Sequence, residues 1–67
     1  MKIKYFPDTD TALFEFLDHP VDQTREIDEN IYIDLDDKGR LVSMTIEHAK
    51  ESANMSELVY QQMDPAR

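Results

Sequence analysis

The sequence predicts an α+β domain: an antiparallel meander sheet of about five strands packed by a C-terminal helix. Three observations predict it. Apolar and polar residues alternate through most of positions 1–47, the period of a strand with one buried face. Turn-forming residues cut that alternation into short pieces. After Asn54 the apolar residues recur at helical spacing instead. Residues 1–67 therefore read as one small domain, with 1–47 as the β-meander and 48–64 as a C-terminal helical segment.

The elements follow in chain order. Lys2 to Phe6 alternates, with Ile3 and Tyr5 on one face and Lys2 and Lys4 on the other. Pro7-Asp8-Thr9-Asp10 reads as a turn, because proline pre-sets its backbone. Ala12 to Leu17 places Ala12, Phe14 and Phe16 opposite Glu15, and Asp18-His19-Pro20 ends it. Val21 to Ile27 is weaker and charged, as an edge strand protected by its charges would be. Asp28-Glu29-Asn30 forms the next turn. Ile31, Ile33 and Leu35 then alternate with Tyr32, Asp34 and Asp36, and Val42, Met44 and Ile46 face one way in Leu41 to Glu47.

Gly39, the only glycine, supplies positive φ for the hairpin between those last two strands. A two-residue loop flanked by Asp37 and Arg40 sets Leu35 opposite Val42, Ile33 opposite Met44 and Ile31 opposite Ile46. A four-residue loop gives the same register. A one-residue slip would put Asp34 opposite Val42, and burial disfavours it. Beyond Glu47, Asn54 with Glu57 resembles a capping box. Met55, Leu58, Val59 and Met63 form the stripe that follows, and Pro65 stops it. A helix this short needs packing to survive. Its stripe is expected to cover the apolar sheet face of Ile3, Tyr5, Phe14, Phe16, Ile31, Ile33, Leu35, Val42, Met44 and Ile46.

Composition narrows the function classes. A chain of 67 residues builds a thin core with no room for a deep pocket. No cysteine is present, so disulfides and thiolate metal sites are excluded. The start, Met1-Lys2-Ile3-Lys4-Tyr5, has no apolar run after its lysines and reads as neither signal peptide nor anchor. No stretch approaches a membrane span. The expectation is a cytoplasmic protein. Fifteen acids against seven bases give a net charge of −8. That charge repels phosphate backbones and anionic membranes. No direct nucleic-acid or membrane partner is expected; a basic protein partner is.

No constellation of catalytic residues emerges. Asp34, Asp36, Asp37 and Gly39 look at first like a calcium loop, but Lys38 and Thr45 stand where oxygen ligands belong. They read as a charged hairpin tip. His19 and His48, with Asp18 or Glu47, lie too far apart in sequence to argue a metal site. Ser43, Ser52 and Ser56 have no base beside them, and no phosphate-cradling glycine loop exists. No catalytic, cofactor or metal residue is assigned, and the chain is not expected to be an enzyme.

The outer sheet face should carry Lys2, Lys4, Glu15, Tyr32, Asp34, Ser43, Thr45 and Glu47. Its bland reading is a wet sheet face. Its functional reading is a partner surface centred on Tyr32, a residue type enriched in interfaces. The candidate partner residues are Glu15, Tyr32, Asp34 and Glu47, with Tyr60 as an anchor off the helix stripe. The Val21–Ile27 edge is a further place for a strand from another chain.

Several segments in this order resemble the bacterial family called domain of unknown function 2283. They are Lys2-Ile3-Lys4-Tyr5, Pro7-Asp8-Thr9-Asp10, Ala12-Leu13-Phe14 and Glu26-Ile27. Ile33-Asp34-Leu35-Asp36, Gly39-Arg40-Leu41-Val42 and Thr45-Ile46-Glu47-His48-Ala49 complete the set. The resemblance covers roughly residues 1–50 and leaves the C-terminal segment outside. It implies the same sheet, adds no catalytic residue, and points by gene neighbourhood to an antitoxin-like role. Leu17 stands where the family usually has a polar residue, which favours an interface there.

Two functional expectations result. The first is a small acidic protein–protein interaction module that binds a basic partner or itself. The alternative is a small-molecule or metal-binding regulatory domain with its site at a dimer interface.

Overall fold

The computed structural model describes residues 1–57 and 59–65. Five strands form one antiparallel sheet: β1 (Lys2–Phe6), β2 (Thr11–Glu15), β3 (Gln23–Asp28), β4 (Ile31–Leu35) and β5 (Leu41–Glu47). One turn of helix, α1 (Ala49–Ser52), follows. The strand order is β1-β2-β5-β4-β3. The expected meander is thus corrected. β1–β2 and β3–β4–β5 are each meanders, but β5 returns to pair with β2. The reason lies in burial. Central strands lose water on both faces, and β5 carries buried Val42 and Ser43. All of β3 is exposed, so it takes an edge, where its charges deter pairing with strangers.

The β4–β5 register matches the alternation with one shift. Ile31 pairs with Ile46 and Ile33 with Met44, while Leu35 pairs with Leu41 rather than the expected Val42. The shift between Asp34 and Leu35 makes Val42 a bulge residue. Its carbonyl accepts the amides of Phe16 (2.8 Å) and Leu17 (3.1 Å) beyond the end of β2. In the β4–β5 loop, the Gly39 amide donates to the Asp36 carbonyl at 3.0 Å. Gly39 has φ +77°, a conformation that strains any side-chain-bearing residue.

The α+β class holds, but the C-terminal helix is shorter and earlier than expected. Among the described residues helix occupies Ala49–Ser52 only, upstream of Asn54. Instead of capping a helix, the Asn54 side-chain oxygen accepts from the amide (3.2 Å) and hydroxyl (2.7 Å) of Ser56. This local turn competes with helical backbone bonding. Residues 59–65 are not helical, and Val59 and Met63 are exposed; Leu58 of the expected stripe lies outside the described residues. Without a helix to cover it, the sheet stands as one layer. The only buried apolar residues among those described are Ala12, Leu35, Val42 and Ala49.

Candidate functional site

Side chains of paired residues share a sheet face. One row across the sheet runs Ile3–Phe14–Met44–Ile33–Arg25. The next runs Tyr5–Ala12–Ile46–Ile31–Asp28. Phe16 stacks beside Phe14, ring centroids 6.5 Å apart. This is the apolar face the alternation predicts. Phe14, Phe16, Ile31, Ile33, Met44 and Ile46 are only partly buried, and Ile3 is exposed. A fully packed face would bury them.

The opposite face carries Lys2–Glu15–Ser43–Asp34–Thr24 and Lys4–Leu13–Thr45–Tyr32–Glu26. Glu15, Tyr32, Asp34 and Glu47 thus share one face. Tyr60 does not join them; it lies with Met1, Ile3 and Val59 around an apolar hollow at the β1 edge. Several of the acids already have partners. Glu15 accepts from Lys4 Nζ at 2.9 Å. That bond, together with the lysine charge, outweighs desolvation and lowers the Glu15 carboxyl. Asp34 accepts the hydroxyls of Thr24 and Ser43, each at 2.6 Å. The charge of Glu47, then burial, then the charge of Glu26, raise the Tyr32 phenol. Among the described residues no cation pairs with Glu26 or Glu47.

Both sheet ends hold polar clusters that sequence reasoning missed. The connection from β2 to β3 crosses one end, beside the β4–β5 loop. There Asp36 is buried, with its side chain 3% exposed. Its Oδ1 accepts the amides of Lys38 (2.9 Å) and Arg40 (2.8 Å). Its Oδ2 accepts Arg40 Nε (2.7 Å) and His19 Nδ1 (2.8 Å). Desolvation, the largest single influence, opposes ionisation. The donors from His19, the Arg40 and Lys38 amides and the Arg40 guanidinium together win, and hold the carboxyl far below the usual range. A depression of ≈ 440 Å³ lies there, lined by His19, Val21, Asp22, Asp36 and Arg40 among others. Asp36 engages His19 Nδ1 and Arg40 Nε, so the cluster ties the two loops together. The signal for it was Asp36 three residues before Gly39, the ends of a β-turn. His19 gave none, being 17 positions away.

At the other end Asp10 links the β1–β2 turn to α1. Its carbonyl accepts the Ala49 amide at 2.9 Å and its Oδ1 the Lys50 amide at 3.1 Å. These are orphan amides of a helix start, and the preceding His48 makes no side-chain cap. Tyr5 donates its hydroxyl to Asp10 at 2.6 Å. This bond, then burial and the carboxylate charge, push the phenol up to about 12. His48 turns the chain out of β5 in the left-handed region, φ 53°, with Nδ1 3.0 Å from the Asn30 side-chain oxygen.

Among the described residues no three His, Cys, Asp or Glu side chains gather in an arrangement to hold a metal ion, and no helix is long and apolar enough to cross a membrane. No curated protein and no solved structure matches the chain. Among known families, one described as "Protein of unknown function (DUF2283)" matches residues 2–50. The match takes in all five strands and the start of α1, so the chain belongs to the DUF2283 family.

Proposed function

We propose that this protein is a small acidic protein–protein interaction module that works through a sheet face rather than a cleft. One observation carries the reading: among the described residues, no second layer covers most of the width of the apolar sheet face. Stable domains bury such a face against another layer, and extended apolar patches on soluble proteins mark contact sites. The acidic outer face is the weaker docking surface. Asp34 and Glu15 are already engaged there, which leaves Glu26, Glu47 and Tyr32 for a basic partner, such as the toxin-like class the family resemblance implies.

The test uses the wild-type chain and Met44→Glu as baits for a native extract that also holds an epitope-tagged second copy. Far-UV circular dichroism establishes that the variant is folded. A protein, or the tagged copy, retained by wild type and lost from folded Met44→Glu is the expected result. Equal retention by both baits, or none by either, would sink the reading.

A further inference from the structure

We propose that the occupant of the apolar face is a second copy of this chain, stacked face to face as a two-layer sandwich. The inference rests on the interaction reading above and names its partner.

Surface area is the first argument. A folded monomer of 7.9 kDa exposes about 4,400 Å². This chain exposes 5625 Å², an excess on the order of 1,200 Å². A standard interface removes roughly 800 Å² from each partner. The exposed residues after Ala53 and the open sheet both contribute to this excess. Shape agrees. The radius of gyration is 13.6 Å, against about 11 Å for a compact domain of this length. The shortest extent is 20 Å against a longest of 43 Å.

Charge is the second argument. A chain of net charge −8 should resist self-association. Its sheet acids, however, lie mainly on the far face. The apolar side carries only Arg25 and Asp28 among the charged residues of the strands, and both sit on the β3 edge. Two apolar faces therefore meet without bringing the outer acids together. The patch is also centred. β5 is the middle strand, and Met44 lies between Phe14 and Ile33 on its neighbours. A two-fold axis near Met44 makes the patch self-complementary, as an isologous contact requires. Two such sheets stack about 10 Å apart.

The chain's own C-terminal segment does not fill the role. Ala53, Asn54 and Met55 border a groove with Ile3, Tyr5 and Phe14. Val59 and Tyr60 lie by Met1 and Ile3. These described residues thus border the β1–β2 side, while Ile31, Ile33 and Ile46 on the β4–β5 side stay part-exposed.

The mass of the purified full chain, measured by light scattering across micromolar to millimolar concentration, tests the inference. The expected mass is twice that of the chain, and folded Met44→Glu is expected to raise the dissociation constant at least about 30-fold. Because the chain has no cysteine, single replacements report the geometry even if Met44→Glu fails to fold. A short bis-maleimide, which spans the gap between stacked sheets, should link copies of Met44→Cys and leave Thr45→Cys, on the outer face, unlinked. A monomer throughout the range would overturn the second-copy inference. So would a dimer that links through Thr45→Cys and not Met44→Cys. If such a monomer still retains a Met44-dependent partner from extract, the interaction reading survives; if it retains nothing, both fall.

Discussion

Asp36 and Asp10 close opposite ends of the same sheet, and they do so at different depths. Asp36 is 4% exposed and accepts four donors, two from backbone amides and two from side chains. Asp10 is half-exposed, and its side chain accepts from Tyr5 and the Lys50 amide. Their tasks differ too. Strand pairing already holds most of the chain, but the β2–β3 connection passes the β4–β5 loop without a ladder to fix it. The His19–Asp36 contact ties that crossing down. Asp10 fixes one turn of helix that sheet pairing would tolerate losing. In a molecule with few buried apolar residues, a buried and fully bonded carboxylate supplies order that a side-chain core normally provides.

The largest expected effect is therefore at Asp36. Asp36→Ala leaves two loop amides and a guanidinium without their acceptor, and unsatisfied partners cost more than the bond itself contributes. Thermal unfolding followed by circular dichroism should show Tm falling by more than about 10 °C. Asp36→Asn keeps an oxygen for the amides but loses the charge, and should fall about half as far. The pH dependence has a definite sign. The folded carboxyl titrates below its unfolded value. Its contribution is thus complete above about pH 4 and fades as pH drops from there toward the folded pKa. The gap between wild type and Asp36→Asn should narrow on that acid limb. A gap that stays constant from pH 7 to pH 2 would show that the charge contributes nothing.

This same cluster marks where sequence reading stopped. Alternation set the faces of β1, β2, β4 and β5, and the charges of Val21–Ile27 placed the remaining strand at an edge. Period-2 burial is a local property, so it is written locally. Strand order is not local. Nothing in Phe16–Asp22 says which edge the chain crosses to; the choice depends on β5 being the strand that buries best from both sides. Helical spacing after Asn54 was real but insufficient, because a short amphipathic helix forms only against a surface, and α1 places the chain at the β1 edge instead. For the candidate site, Glu15, Tyr32, Asp34 and Glu47 were correctly set on one face. The engagement of Glu15 with Lys4 and of Asp34 with Thr24 and Ser43 depends on the exact register of each hairpin, which alternation narrows without fixing residue by residue. The prominence of the bare apolar face became visible only once the covering helix was absent.

Asp10→Ala comes next in size. It removes the acceptor of Tyr5 and Lys50 and keeps a side chain at φ 53°. Tm should fall by about 4–8 °C. Asp10→Gly loses the same bonds but relieves the left-handed backbone, so it should be the milder of the two. Amide exchange should speed up at Ala49 and Lys50 in both variants, with the Lys38 and Arg40 amides unchanged. If loosening α1 also exposed the Asp36 end, the two ends would form one cooperative unit rather than two independent ties.

The smallest effect separates the ends by pH rather than by size. Tyr5→Phe removes one hydroxyl at a half-exposed site, and Tm near neutrality should fall by no more than about 4 °C. The folded phenol titrates near 12, above its ordinary value of 10. A raised pKa means that the fold favours the protonated form. Its contribution is therefore complete below pH 10 and lost as pH rises from 10 toward 12. The Asp36 tie behaves in the opposite sense, weakening only in acid. Wild type and Tyr5→Phe should converge in Tm on the alkaline limb, while wild type and Asp36→Asn keep their separation there. Convergence of both pairs would mean that alkali loosens the whole sheet, and that the Tyr5–Asp10 bond is not the group being titrated.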